Sequence, residues 1–347
     1  MLSGDARRSH APRLRGRMGT WPAATTAVAG VIGDPIEHSL SPVLHNAALV
    51  ELGLDWAYVA FPVPAGRGQE AVAGMGALGI RGLSVTMPHK AAAAAACHEL
   101  TPVASRLGVA NTVTNAGGRL LGDSTDGLGF LDSLAELGWS PRGRSCLVLG
   151  AGGAARAVVL ALAEAGARRV EVVARQPAQA SVAAALAGGA GVVGSVDALE
   201  SVQDAELVVN ATPVGMDGMS LESVEPVEAG GRGGRGRRDR GTLGYDRHNG
   251  LPFGLDEKWL GPGQLVADLI YAPSVTPLLA AARYRGAGTC NGLGMLIHQA
   301  ARQVRAWTGR DAPVEVMSAA ALRELRKRAG PGEARGPSST SAAKLPK

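Results

Sequence analysis

A glycine-rich turn, G-A-G-G-A-A at residues 150–155, constrains the fold of this chain more than any other feature. It follows an apolar run at 145–149, opens an alanine-rich stretch at 154–165, and precedes a second apolar run at 170–174. A strand, a tight glycine turn, a helix and a second strand form a βαβ unit, and this spacing is typical of units that bind a dinucleotide. We therefore predict a Rossmann-type domain with a pyrophosphate at the helix N-terminus.

The choice of dinucleotide depends on the residue that follows the second strand. Gly150 permits the tight turn and Gly152 lets backbone amides approach the pyrophosphate, whichever dinucleotide is bound. An aspartate after the second strand would bind the ribose of NAD and repel a 2′-phosphate, but this chain has Arg175 there. A guanidinium favours the phosphate, so the sequence predicts NADP.

The chain is long enough for two domains, because 347 residues with 46% hydrophobic content exceed what one core usually holds. In the N-terminal half, apolar runs at 27–33, 56–63 and 83–86 alternate with a helical pattern at 43–54. This alternation predicts a second α/β domain with a parallel or mostly parallel sheet.

The net charge of +5 comes from arginines outside the predicted core. They cluster at 1–20, in a Gly/Arg-rich segment at 230–241 and after Leu325, and such biased stretches predict disorder. The first cluster has two interpretations, a transit peptide or, the favoured one, an extension before a true start at Met18. The Gly/Arg-rich segment leaves an RNA-binding role open, but its arginines have no interleaved aromatics to stack on bases, so nucleic acid is not the expected partner.

Two further observations bear on the compartment. No apolar run reaches the length of about 18 residues that a membrane span requires. Cys97, Cys146 and Cys290 are isolated, without the spacing of a metal or redox motif. We therefore expect a cytoplasmic protein with no metal site and with structural thiols.

The segment S-V-T-M-P-H-K at 84–90 sets Lys90 at the mouth of an alanine-rich helix, 91–96. Pro88 suits the first turn of that helix. A cation at a helix N-terminus faces the positive end of the helix dipole and is disfavoured unless a carboxylate compensates. A lysine held in this way suits proton transfer.

Other motifs follow one another in a fixed order. They are S-L-S-P at 39–42 with His45 and Asn46, N-T at 111–112, G-D-S-T-D-G at 122–127, N-A-T-P at 210–213, D-L-I-Y-A-P at 268–273 and N-G-L-G-M-L-I-H-Q-A at 291–300. Together with Lys90 and the dinucleotide turn, this order resembles the shikimate dehydrogenase family over about residues 27–309, apart from an insertion.

The resemblance implies a two-domain α/β fold in which the domains meet over a cleft and close to exclude water. The expected divisions, in chain order, are a disordered extension (1–24), a substrate-binding α/β domain (25–126) completed by C-terminal helices (291–328), a Rossmann-type NADP-binding domain (127–290) with an insertion (about 217–262), and a disordered tail (329–347).

The reaction that the resemblance implies is the reversible reduction of 3-dehydroshikimate to shikimate by NADPH, in chorismate and aromatic amino acid biosynthesis. Lys90 and Asp126 would form the catalytic pair at the reacting oxygen. Because the two groups titrate together, the sequence leaves open which of them carries the proton.

The resemblance also assigns contacts to the small-molecule substrate and to the cofactor. Ser39 and Ser41 would bind the substrate carboxylate, although Ser41 next to Pro42 also suits an N-cap. The substrate site would be completed by Thr86, Lys90, Asn111, Asp126, Tyr271 and Gln299. The cofactor site would be formed by Gly150, Ala151, Gly152, Gly153 and Ala154 at the pyrophosphate, Arg175 at the 2′-phosphate, and the backbone near Leu269 and Gly292 at the nicotinamide.

Some positions depart from the family pattern and keep alternatives open. Ser84 and Ser124 stand where asparagine is usual, and Gln179 stands where a second basic residue commonly binds the 2′-phosphate, so discrimination against NAD is expected to be modest. A quinate or aminoshikimate dehydrogenase shares the scaffold, but serine at position 41 favours shikimate. A non-catalytic sensor of the same fold is a further alternative that the intact Lys90 and Asp126 disfavour. The sequence leaves the oligomeric state open, with a homodimer as one option.

Overall fold

The computed structural model describes residues 22–216 and 250–329, and these fold into two α/β lobes. The predicted extension as far as residue 21, the predicted insertion from residue 217 to residue 249, and the tail from residue 330 lie outside the described residues.

The two lobes contain twelve strands and ten α-helices within the described ranges. The strands are β1 (Ala27–Gly33), β2 (Trp56–Pro62), β3 (Gly82–Val85), β4 (Glu99–Leu100), β5 (Thr112–Ala116), β6 (Arg119–Asp123), β7 (Ser145–Leu149), β8 (Arg169–Val173), β9 (Gly191–Val193), β10 (Leu207–Asn210), β11 (Leu265–Asp268) and β12 (Gly288–Cys290). The helices are α1 (Ser41–Glu51), α2 (Gly68–Gly74), α3 (Lys90–Ala96), α4 (Pro102–Leu107), α5 (Asp126–Glu136), α6 (Gly153–Glu164), α7 (Pro177–Ala185), α8 (Pro277–Tyr284), α9 (Leu293–Thr308) and α10 (Val314–Ala329).

The first lobe is built on a mixed sheet with strand order β2-β1-β3-β5-β6-β4. Three of its five strand pairings are parallel, and β5 runs antiparallel to both β3 and β6. Helices α1, α9 and α10 pack together through a buried apolar cluster that includes Leu44, Ile297 and Met317. The C-terminal helices therefore complete this lobe, although they follow the second lobe in sequence.

The second lobe is a six-stranded, fully parallel sheet with order β12-β11-β10-β7-β8-β9. Counted from β7, this is the 3-2-1-4-5-6 order of a Rossmann domain. All five residues of β7 are buried, as expected for a parallel sheet that is covered on both faces. The prediction of a Rossmann-type domain beside a mostly parallel α/β domain is confirmed.

The described part of the predicted insertion, residues 250–262, belongs to the core of the second lobe. It contains two short 3₁₀ turns, Pro252–Gly254 and Glu257–Trp259. Leu251 and Leu255 are buried in the apolar cluster on one face of the sheet. Because these side chains fill the core, the segment from residue 250 onward supports the nucleotide lobe.

Two predictions about helix starts are wrong. Helix α3 begins at Lys90 with His89 at its N-cap, so Pro88 lies in the preceding turn rather than in the first helical turn. Ser41 is the first residue of α1, Leu40 occupies the N-cap position without a side-chain cap, and the Ser41 N–H donates to the Ser39 hydroxyl at 3.2 Å. The Ser41 hydroxyl is therefore not used as a helix cap.

Helix α5 joins the two lobes and touches both of them closely. A Cβ added at Gly127 would lie 2.5 Å from the carbonyl oxygen of Ala157 in α6. A Cβ added at Gly129 would lie 2.6 Å from the backbone nitrogen of Gln299 in α9. Only glycine allows backbone to approach backbone this closely, so these two residues fix α5 against one helix of each lobe.

Neither a membrane helix nor a metal cluster is found in the part of the chain that the structure describes. None of its helices combines the length and the apolar character needed to cross a membrane. No group of three or more His, Cys, Asp or Glu side chains in these ranges is arranged to hold a metal ion.

Candidate active site

Lys90 and Asp126 meet because the strands before them end at the same edge of the first sheet. Strands β3 and β6 both run antiparallel to β5, so they point the same way, and each is followed within a few residues by a helix. Lys90 begins α3 and Asp126 begins α5. The Lys90 Nζ lies 2.5 Å from the Asp126 Oδ2, with only 20% and 10% of the two side chains exposed.

Asn111 holds the other oxygen of this carboxylate. Its Nδ2 donates to the Asp126 Oδ1 at 2.7 Å, so each carboxylate oxygen has a donor. The amide orientation is fixed because the Asn111 Oδ1 accepts from the Thr125 N–H at 2.9 Å. Gln299 of α9 reaches the same cluster, with its Oε1 3.5 Å from the Asn111 Nδ2.

The ion pair lies where the two lobes meet. A Cβ added at Gly153, the first residue of α6, would lie 4.0 Å from the Lys90 Cδ. The lysine stem therefore lies against the start of the helix that follows the dinucleotide turn. A group bound at that turn would come close to the ammonium.

The dinucleotide turn has the geometry that an anion requires. Gly150 has a φ of 116°, and its N–H donates to the Val173 carbonyl at 2.8 Å. Gly152 is extended at the N-cap of α6 and supplies no side-chain cap, so the first N–H groups of this twelve-residue helix remain available to a ligand. A Cβ at Gly152 would meet nothing within 4 Å, which leaves open space in front of the helix. The residues at this turn fit a pyrophosphate.

The other residues predicted to contact the cofactor lie at the same edge of the second sheet. Arg175 is exposed two residues after β8. Leu269 follows β11, and a Cβ at Gly292 would lie 1.9 Å from the Leu269 carbonyl oxygen. The Gly292 N–H also donates to the Ile270 carbonyl at 3.0 Å. The structure thus brings the predicted nicotinamide segments together.

Ser39 and Ser41 lie side by side at the start of α1. Ser39 is half-buried and Ser41 is buried. Thr86, directly after β3, is also half-buried. These three residues follow the ends of β1 and β3, which are paired in the sheet. The hydroxyl residues therefore gather at the same edge as Lys90.

Tyr271 approaches this region from the second lobe. It is half-buried in the loop after β11, and burial raises the pKa of its phenol, while the nearby positive charge of Arg328 acts in the opposite direction. Arg328 also donates from its Nη1 to the carbonyl of His38, the residue before Ser39, at 2.8 Å. A single guanidinium therefore connects the serine loop with the neighbourhood of Tyr271.

A buried chain of polar groups behind Asn111 was not expected from the sequence. The Tyr58 hydroxyl donates to the Ser84 Oγ at 2.7 Å, and the Ser84 Oγ donates to the Gln303 Oε1 at 2.7 Å. The Gln303 Nε2 donates to the Thr112 Oγ1 at 3.1 Å, and this hydroxyl donates to the Asn111 Oδ1 at 2.8 Å. The chain therefore runs from β2 to the amide that holds Asp126.

One signal in the sequence predicts part of this series of hydrogen bonds. Gln303 stands four residues after Gln299, so both amides lie on one face of α9. No spacing in the sequence relates Tyr58 to Ser84, so neither residue is predicted to join these amides. Burial raises the pKa of Tyr58, which keeps its hydroxyl a donor to Ser84.

His45 supports Tyr58 from the side. The two rings stack with centroids 4.0 Å apart and planes 8° apart. The His45 Nδ1 lies 2.8 Å from the Ser41 carbonyl oxygen. Burial lowers the pKa of His45 to about 4, so the imidazole is neutral at neutral pH and acts as a packing residue.

Comparisons with known proteins match two segments of the chain to family models. Residues 31–113 match the model described as the shikimate dehydrogenase substrate binding domain. Residues 292–322 match the model described as the shikimate 5′-dehydrogenase C-terminal domain. The two matches cover the serine loop, Lys90, Asn111 and Gln299.

Similar proteins extend over most of the chain. The shikimate dehydrogenase (NADP(+)) of Citrifermentans bemidjiense is 42% identical over 309 residues, which cover 86% of this chain and 96% of that protein. A crystal structure of a shikimate dehydrogenase in complex with NADP+ has a TM-score of 0.75 and 32% identity, and it covers 90% of this chain and 100% of its own. The shikimate 5-dehydrogenase of Thermus thermophilus, solved with NADP(H) and shikimate, has a TM-score of 0.70 and 34% identity over 86% of this chain and 99% of its own.

Proposed function

This chain belongs to the shikimate dehydrogenase family, and we propose that it catalyses the reversible NADPH-dependent reduction of 3-dehydroshikimate to shikimate. The reaction interconverts a ketone and a secondary alcohol, so the enzyme is an NADP-dependent oxidoreductase acting on a CH–OH group. It would serve chorismate and aromatic amino acid biosynthesis, as the family resemblance implies.

The observation that carries this proposal is the Lys90–Asp126 pair beside the dinucleotide turn. The Nζ–Oδ2 distance of 2.5 Å and the low exposure of both side chains hold one ammonium in a fixed position. Bound NADPH supplies a hydride to the ketone carbon. The Lys90 ammonium donates a hydrogen bond or proton to the ketone oxygen, and Asp126 orients it and offsets its charge. In the reverse direction the pair removes the alcohol proton.

Asn111 keeps this pair aligned and also serves the substrate. Its Nδ2 binds Asp126 at 2.7 Å and lies 3.5 Å from the Gln299 Oε1, so amides from two elements adjoin the ion pair. Amides both donate and accept, which suits a ring carrying several hydroxyls. We assign Thr86 and Tyr271 to the same ring hydroxyls, and Ser39 and Ser41 to the substrate carboxylate.

The cofactor contacts would come partly from the backbone and partly from side chains. The pyrophosphate would be held by backbone N–H groups at the turn of Gly150, Ala151, Gly152, Gly153 and Ala154. Arg175 would bind the 2′-phosphate, and the backbone at Leu269 and Gly292 would hold the nicotinamide end. The open helix N-terminus at Gly152 supports this assignment.

The decisive experiment offers the purified protein shikimate, quinate and aminoshikimate, each with NADP and with NAD, and follows the absorbance of the reduced cofactor. Shikimate with NADP is expected to give the highest kcat/KM. A preference for quinate or aminoshikimate would replace the substrate assignment. Binding of shikimate without turnover would identify a sensor and refute the enzymatic proposal.

Two further parts of the proposal concern the cellular compartment and the oligomeric state of the enzyme. We place it in the cytoplasm, where free thiols persist, because Cys97, Cys146 and Cys290 are all unbridged. A homodimer is the proposed assembly, and light scattering on the eluting protein measures its mass directly. A monomeric mass would remove that part of the proposal alone.

A further inference from the structure

The last turn of α10 places a cation beside the serine loop. Arg328 lies in that turn, and its Nη1 donates to the His38 carbonyl at 2.8 Å. His38 directly precedes Ser39, and the Ser39 hydroxyl binds the Ser41 N–H at 3.2 Å. The guanidinium therefore anchors the loop one residue before the first of the two hydroxyls assigned to the substrate carboxylate.

Glu324 fixes the direction of this guanidinium without using all of its donors. The Arg328 Nε donates to the Glu324 Oε1 at 2.9 Å across one helical turn. Within the described residues, the two contacts of Arg328 use two of the five N–H donors of a guanidinium. The remaining N–H groups can face a ligand, and the side chain is 36% exposed, so a ligand can reach them.

Arg328 also acts on the second lobe. Its charge acts against the effect of burial on the pKa of Tyr271, so the guanidinium and that phenol interact electrostatically. Ser39, Ser41 and Tyr271 are three neutral hydroxyl groups. At the other end of the site, the charge of Lys90 is already matched by Asp126 at 2.5 Å. Arg328 is itself paired with Glu324 at 2.9 Å, so what it offers a carboxylate at the serines is the N–H donors that its two contacts leave over.

We propose that Arg328 is a specificity-determining residue that attracts the carboxylate of the substrate to Ser39 and Ser41 and positions the serine loop through the His38 carbonyl. The inference rests on the proposed function, since it takes an anionic ring acid as the substrate. Its ligand class is a monocarboxylate, and uncharged relatives of the same ring gain nothing from its charge.

The test compares four proteins: the wild type, Arg328→Gln, Arg328→Lys and the control Arg326→Gln. Arg326 is exposed two residues away on a different side of the same helix, so its substitution removes an equal charge at a similar distance from the helix end. Each protein is assayed with shikimate and with shikimate methyl ester, which keeps the ring and lacks the charge.

For shikimate, Arg328→Gln is expected to raise KM by about five- to tenfold with little change in kcat, the effect of losing one charge-assisted contact at a partly exposed site. Arg328→Lys keeps the charge and should recover most of that loss, and Arg326→Gln should match the wild type. The difference between wild type and Arg328→Gln should shrink at high ionic strength. With the methyl ester, Arg328→Gln should raise KM clearly less than with shikimate, because only the contact with the His38 carbonyl is lost.

Two results would overturn this inference while leaving the reaction intact. One is an Arg328→Gln protein whose KM for shikimate equals that of Arg326→Gln. The other is an equal rise in KM for acid and ester, which would mean that Arg328 only holds the loop. Failure of the wild type to turn over shikimate refutes the proposed function instead, and calorimetric binding of shikimate to the same four proteins then tests Arg328 by itself.

Discussion

Replacing Lys90 with methionine removes the ammonium while keeping a side chain of similar length. The Asp126 carboxylate loses its partner at 2.5 Å but keeps the Asn111 Nδ2 at 2.7 Å. Breaking a fully buried pair costs about 3–5 kcal/mol. We expect a smaller loss of about 1–2 kcal/mol here, because both side chains retain some exposure and one donor remains.

The effect on turnover should be much larger than the effect on stability. A positioned acid or base contributes about 10² to 10⁴ in rate, which corresponds to about 3–5 kcal/mol of transition-state stabilisation. The assay measures kcat at saturating shikimate and NADP, together with the thermal midpoint and the affinity for NADP. The expected result is a kcat lower by at least about a hundredfold, with a folded protein that still binds NADP.

The matched control is Lys258→Met. Lys258 forms a pair with Asp256 at 2.7 Å, but 66% of its side chain is exposed and it lies in the nucleotide lobe away from the cleft. This variant should keep both its turnover and its midpoint. The reasoning is refuted if Lys90→Met retains a kcat within about threefold of the wild type, or if its loss of activity equals its loss of NADP affinity.

Three other predictions follow from single contacts. Arg175→Asp should shift the ratio of kcat/KM values from NADP towards NAD by at least about tenfold, since a carboxylate repels the 2′-phosphate; an unchanged ratio means that Arg175 does not select the cofactor. Gly129→Ala places a Cβ 2.6 Å from the Gln299 nitrogen. It should lower the free energy of unfolding, measured by urea titration, by about 1–3 kcal/mol. It should also raise the KM for shikimate, measured from initial rates. His45 has a pKa of about 4 in the folded protein and 6.5 in the unfolded chain. The unfolded state therefore binds more protons between these pH values. The free energy of unfolding should fall by about 3 kcal/mol as the pH drops through this window. In urea titrations, His45→Phe should show a shallower fall than the wild type, and an equal slope would contradict the assignment.

The sequence predicted the nucleotide lobe well because its signals are local. An apolar run ends at a glycine turn and a helix begins, so β7 occupies the predicted residues 145–149 and α6 begins one residue before the predicted 154. The family and the two-lobe α/β fold were also predicted correctly, through motifs that are each short but occur in a fixed order.

Other features were not predictable because they depend on distant contacts. The hydrogen bond between Ser84 and Gln303 joins residues 219 positions apart, and neither residue type is unusual where it stands. Arg328 was predicted as the last residue of the C-terminal helices, and α10 does extend over it, but its contact with the His38 carbonyl joins residues 290 positions apart. The error at Ser41 is local instead: the helix begins one residue earlier than the predicted cap allows, with Leu40 at the N-cap.

The close contacts of α5 limit how the two lobes can move. Gly127 and Gly129 bring its backbone against α6 on one side and α9 on the other, so sliding in either direction would drive main chain into main chain. Since Asp126 is the first residue of α5, the close contact of this helix with α9 also fixes the position of the carboxylate that faces Lys90.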